Sequence, residues 1–326
     1  MRKHRWLMLL ALLIAALAVA GCGDDDDSGN GDKGSSTGSS GDQAGIQKND
    51  KNSSTKITVG SKNFTEQKVL GEIYAQALGA AGYDVSKQLN LGDEKTALKA
   101  LEGGDISMYP EYTGTALLSF FDYTADKLPT DPDEAYDLAK KEFAGKNLTA
   151  FEHTPYTNSN EVAVTQETAD KYSLKTISDL EPVAGKLTLY GTPECRQRLD
   201  CLLGLQKVYG LKFKKFTPVA IDLRHEVLSK GQADVSIVFT TDPQIFKEKF
   251  VLLEDDKQMF PPFNSTLVAR NDVVDKAGPD MAKVIDMVDE GLSDDVMQEL
   301  NARVDLDKQT PEEVAGQYLK ETGLVG

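Results

Sequence analysis

The stretch KITVGSKNFTEQ, residues 56–67, decides the fold class. Lys56 to Gly60 alternates and is rich in β-branched side chains, the composition of a strand. The periodicity then changes. From Phe64 to Ala80 the apolar residues Val69, Leu70, Ile73, Ala77 and Leu78 fall on one helical face, and Gly82 ends the run. Further on, Lys95 to Leu101 reads as a second helix, followed by Gly103-Gly104 and a short strand over Asp105 to Tyr109. Strands alternating with helices predict an α/β fold with mostly parallel sheets.

The second half repeats this plan. Lys186 to Tyr190 reads as a strand, a helix is expected near Leu202 to Tyr209, and another ends over Glu226 to Lys230 before the strand Asp234 to Phe239. Gly104-Asp105-Ile106-Ser107 resembles Ala233-Asp234-Val235-Ser236, as two halves built alike would. Pro155 to Asn160 and Pro261-Pro262 are turn-rich breaks, which places two crossings between the halves there. The expected division is therefore residues 56–157 plus 264–326 as lobe one and 158–263 as lobe two, with helices in the tail from Asn264 onward.

At the N-terminus, Met1 to Arg5 is basic, and Leu7 to Ala20 carries no charge. That run is shorter than the roughly 20 apolar residues a membrane helix needs, so it reads as a secretory leader. The leader, residues 1–21, ends in Val19-Ala20-Gly21 before Cys22. Small residues before a cysteine resemble a bacterial lipobox, with Cys22 acylated and holding the protein at the extracytoplasmic face of the cell membrane. Residues 22–55 are dominated by Gly, Ser, Asp, Asn and Lys and are expected to form a disordered tether.

The chain carries 52 acidic and 36 basic residues, a net charge of −16, which disfavours a nucleic-acid partner. Only His153 and His225 follow the leader, so a histidine-rich metal site is not expected, and no cofactor is implied. Cys195 and Cys201, close together in an exported chain, read as a disulfide that shapes one loop. No G-x-S-x-G elbow, phosphate loop or H-E-x-x-H motif occurs, which lowers the prior for an enzyme.

Four stretches carry a family resemblance. They are Gly60-Ser61-Lys62-Asn63-Phe64-Thr65-Glu66-Gln67, Tyr109-Pro110-Glu111-Tyr112-Thr113-Gly114-Thr115, Val238-Phe239-Thr240-Thr241-Asp242 and Phe260-Pro261-Pro262-Phe263. Together they resemble the osmoprotectant-binding family of ABC importers, the binders of glycine betaine, choline and carnitine, over residues 56–326. The resemblance implies a two-lobed type II periplasmic-binding-protein fold, acting as a monomer, that closes on a small quaternary-ammonium solute and delivers it to an ABC permease. It also implies that Lys62, Thr115 and Arg198 hold a ligand carboxylate. Tyr112, Asn160, Phe239 and Phe263 would form the wall around the ammonium, with Asn158 nearby. The family's best-known binders carry tyrosine where this chain has Asn160, Phe239 and Phe263.

Physical chemistry supports such a site independently. A trimethylammonium group has no N–H to donate, so charge and aromatic faces must hold it, as in the choline cages that are the standard illustration of this interaction. A carboxylate is best met by a guanidinium fork and an ammonium. Each residue also has an ordinary reading: Lys62 as a surface lysine, the aromatics as core packing, and Arg198 as the partner of Asp200 or Glu194. The alternatives are a related solute-binding protein for a different carboxylated small molecule, a sensing module and, more remotely, a surface hydrolase.

Overall fold

Along residues 56–60 Ile57 and Val59 are buried, Lys56 is exposed and Thr58 lies between, so the β-branched alternation yields a strand with one face on the core. The computed structural model describes residues 45–124 and 127–326. It begins with β1 (Lys56–Gly60), α1 (Thr65–Ala80), β2 (Asp84–Gln88), α2 (Glu94–Gly103), β3 (Met108–Tyr112), α3 (Thr113–Ser119), α4 (Pro132–Ala144) and β4 (Leu148–Thr157). The chain continues through β5 (Asn160–Val164), α5 (Gln166–Tyr172), β6 (Thr188–Gly191), α6 (Leu202–Val208) and β7 (Lys215–Pro218). It then forms α7 (Arg224–Ser229), β8 (Val235–Phe239), α8 (Gln244–Glu248) and β9 (Val251–Leu253). It ends with β10 (Asn264–Arg270), α9 (Asn271–Ala277), α10 (Pro279–Asp289), α11 (Asp294–Asp305) and α12 (Pro311–Glu321).

The strands form two five-stranded sheets of the same plan, β2-β1-β3-β10-β4 and β7-β6-β8-β5-β9. Period-two alternation gives each sheet two buried faces. In β10, Leu267 and Ala269 pack with α1, α10, α11 and α12, while Val268 packs with α2, α3 and α4. In β5, Val162 and Val164 join the core beneath α5 and α6, and Ala163 faces α7 and α8. Helices thus cover both faces of each sheet, one sheet per lobe. No helix among the described residues is long and apolar enough to cross a membrane.

Several expectations need correction. The sheets are mixed: β1 pairs parallel with β2 and β3, but β10 is antiparallel to β3 and β4, and the other sheet repeats this with β5. The reversal arises because β10 and β5 enter their sheets from the segments that pass between the lobes. The tail does hold helices, α9 to α12, and its first residues form β10 within the first sheet. Strand β2 had no sequence signal, because as an edge strand it has no buried side chain. Strand β3 lies later than expected, and all five of its residues are buried, so it has no alternation to read.

The expected tether extends too far. From Gly45 the chain is seated on the body: Ile46 donates to Leu324 O at 2.8 Å, Asn49 donates to Ala81 O at 3.0 Å, and the Asn52 side chain donates to the same carbonyl at 2.9 Å. These bonds satisfy carbonyls at the end of α1 and near the C-terminus, which compensates for ordering a polar segment. The leader and Cys22 lie outside the described residues.

Candidate functional site

In open α/β sheets ligands bind beyond the carboxyl ends of the strands, where strand order reverses. Here that point lies between β1 and β3 in one lobe and between β6 and β8 in the other. Lys62 follows β1, Tyr112 ends β3, Thr115 lies in the first turn of α3, and Phe239 ends β8. Arg198 follows β6, and Asn158, Asn160 and Phe263 lie on or beside the two crossings. All eight line one cavity, with about 770 Å³ of empty space including its mouth. Ligand pockets commonly fall in this size range.

Aromatic rings form one wall. Phe64 stacks near Tyr112, with centroids 6.2 Å apart and planes at 21°, and lies 5.3 Å from Phe239. Phe263 is buried in the same cluster. Phe64 was not singled out from the sequence, although its motif was. The Lys62 ammonium lies 4.5 Å from the Tyr112 ring centre, and the Arg224 guanidinium lies 4.4 Å from that of Phe239. Two ring faces therefore already carry a cation.

Ionic groups line the same cavity. Lys62 Nζ pairs with the fully buried Glu111, which also accepts from the Tyr112 backbone N–H at 2.7 Å and from the Tyr109 hydroxyl at 2.9 Å. Burial lowers the Lys62 pKa, against the pull of Glu111 and Glu94. Arg198 Nε donates to Asp200 Oδ1 at 2.8 Å, Nη2 donates to Asp200 Oδ2, and Nη1 lies 3.2 Å from Glu94 Oε2. Burial opposes the Arg198 charge, but Asp200 and Glu94 outweigh it and raise its pKa. Of the ordinary readings of Arg198, the partnership with Asp200 is the one that forms. The Asn160 amide donates to Asp200 as well, to its backbone O at 2.9 Å and to Oδ2 at 3.0 Å. Asn160 lines the cavity, but its donors hold the arginine loop.

That loop is fixed covalently and sterically. Cys195 and Cys201 are joined by a disulfide on either side of Arg198. A Cβ on Gly204 would lie 1.8 Å from the Leu199 carbonyl oxygen, so only glycine lets α6 start this close. Arg224, also not anticipated, donates from Nε to Asp242 Oδ2 at 3.0 Å and from Nη2 to Oδ1, while His225 Nε2 lies 2.7 Å from Asp242 Oδ2. Thr115 is buried on the cavity wall. No group of metal-ligating side chains occurs among the described residues.

Behind the rings, Glu66 accepts from Tyr112 at 2.6 Å, Tyr156 at 3.2 Å, Asn158 at 2.8 Å, Thr241 at 2.5 Å and Asn301 at 3.0 Å. Asn158 therefore supports the ring wall from its crossing, and its donor is directed at Glu66.

Two lobes, a cleft lined from both, and a cavity that combines aromatic rings with fixed charges define a solute-capture protein. Residues 55–321 match the substrate-binding domain of ABC-type glycine betaine transport systems, and the chain belongs to that family. It is 34% identical over 280 residues to a glycine-betaine-binding protein of Pseudomonas aeruginosa, covering 82% of this chain and 88% of the relative. It is 29% identical over 270 residues to the ergothioneine transport permease/ergothioneine binding protein EgtU of Helicobacter pylori, covering 82% of this chain but 48% of that longer protein. A solved glycine betaine/carnitine/choline ABC transporter structure superposes with a TM-score of 0.66 at 27% identity, covering 82% of this chain and 99% of that one. The family is one of transport solute-binding proteins, not of enzymes.

Proposed function

We infer that this protein captures a quaternary-ammonium osmoprotectant outside the cytoplasm and delivers it to an ABC permease, held to the membrane by acylated Cys22. The observation that carries this reading is the convergence of Phe64, Tyr112, Phe239 and Phe263, drawn from both lobes and one crossing, on a single cavity. A methylated cation has no hydrogen to donate, and ring faces are what remain to hold it. A ligand touching both lobes favours the closed form, and that difference is what a permease can read. The anchor rests on the leader and the small residues before Cys22.

Calorimetry with choline, glycine betaine, carnitine and ergothioneine tests the reading. At least one of them binds the wild type, and Tyr112→Ala and Phe239→Ala each weaken that binding by about 1–2 kcal/mol through loss of a ring face. Unchanged affinity in both variants would reject the ring wall as the recognition surface.

A further inference from the structure

The charge balance of the cavity points beyond this reading, on which the inference rests, to the kind of quaternary ammonium selected. Nε and Nη2 of Arg198 donate to Asp200, and Nη1 lies 3.2 Å from Glu94 Oε2 as an ion pair. An arginine receives a ligand carboxylate best through two parallel N–H bonds, and here Asp200 already occupies such a fork. Lys62 is held by Glu111, and Arg224 by Asp242. Each cation facing the cavity therefore has a buried carboxylate of its own before Glu94 is counted.

Glu94 is an additional negative charge, and it is fixed in place. It is 4% exposed, lines the cavity and is the first residue of α2, where the helix N-terminus favours an acid. It comes from lobe one and Arg198 from lobe two, so the pair spans the cleft. A ligand carboxylate placed beside it would set two like charges against one guanidinium.

We propose that Glu94 fills the seat a ligand carboxylate would take near Lys62 and Arg198, so that the site selects a quaternary ammonium bearing a hydroxyl, such as choline, over carboxylated zwitterions such as glycine betaine and carnitine. A ligand alcohol is both donor and acceptor: it donates to Glu94 and accepts from Thr115, which also lines the cavity. The ligand's positive charge is balanced by Glu94, and its methyl groups rest on the rings.

The experiment is calorimetry of the wild type, Glu94→Gln and Glu94→Ser with choline and glycine betaine, with thermal shift in acetate run alongside. The wild type binds choline at least about tenfold more tightly than glycine betaine, and both variants bind glycine betaine at least about tenfold more tightly than the wild type does while losing choline affinity. Glycine betaine binding to the wild type as tightly as choline overturns the proposal. So does unchanged glycine betaine affinity in whichever variant folds. If neither solute binds the wild type, the quaternary-ammonium reading fails, and acetate decides the role of Glu94 separately. Stabilisation of the variants but not of the wild type by acetate supports a filled seat, and an equal response overturns it.

Discussion

Glu66 collects donors from five places in the chain: β3, β4, the first crossing, the loop after β8, and α11. A buried carboxylate is tolerated when its lone pairs are filled, and removing it leaves each donor without a partner. Glu66→Ala is expected to destabilise the fold by at least about 3 kcal/mol in chemical denaturation, because several buried donors lose their acceptor at once. Tyr112→Phe removes one donor and keeps the ring, so it should cost only about 1 kcal/mol. A loss in Glu66→Ala no larger than in Tyr112→Phe would show that these bonds do not act as a unit. The GSKNFTEQ motif displayed Glu66 plainly, but its partners lie in distant segments, and nothing in the local sequence pairs them. Glu94 and Arg224 escaped notice for the same reason, since each becomes part of the cavity only through a contact made at long range.

Among the elements, α3 and the second crossing show why two of the sequence motifs occur together. A Cβ on Gly114 would lie 2.6 Å from the Pro262 carbonyl oxygen and 3.0 Å from the Phe263 ring. The glycine of EYTGT is thus the space into which PPF fits, a packing constraint that appears in the sequence only as two separate strings. Gly114→Ala must push the crossing away. The expected cost is about 1–3 kcal/mol of stability from overpacking, with weaker solute binding because Phe263 moves with the crossing. Unchanged melting and unchanged calorimetry would show that the crossing yields freely. Helices with clear stops were the most legible elements: α2 is capped by Asp93 and ends at Gly104 in the left-handed region, φ 83°. The edge strand β2 and the fully buried β3 were missed or shifted because one lacks a buried face and the other lacks an exposed one.

For the molecule as a whole, the two-lobed plan was legible because its halves repeat, whereas the sheets' mixed direction was not, because it depends on how the chain re-enters each lobe. The acid-rich composition also affects global stability. Burial raises the Asp289 pKa well above its ordinary value of 3.8, with the Tyr74 hydroxyl donating to it at 2.6 Å and its other oxygen unpartnered. Burial followed by Asp255 pushes Glu161 up to about 7. A native acid with a raised pKa keeps its proton after the unfolded chain has released it. Its stabilising contribution is therefore complete below the unfolded pKa, near 4, and is lost as pH climbs towards the native value. Asp289→Asn mimics the protonated form, so it should be more stable than the wild type at pH 7 and lose less stability between pH 4 and 7. Equal pH profiles for the two proteins would refute this assignment.

The seating of Gly45 and Ile46 against Gly323 and Leu324 means that whatever precedes residue 45 leaves from the lobe that also holds the C-terminus. Under the proposed acylation of Cys22, a leash fastened there would pull on one jaw alone, and the other jaw would bear no load from the attachment.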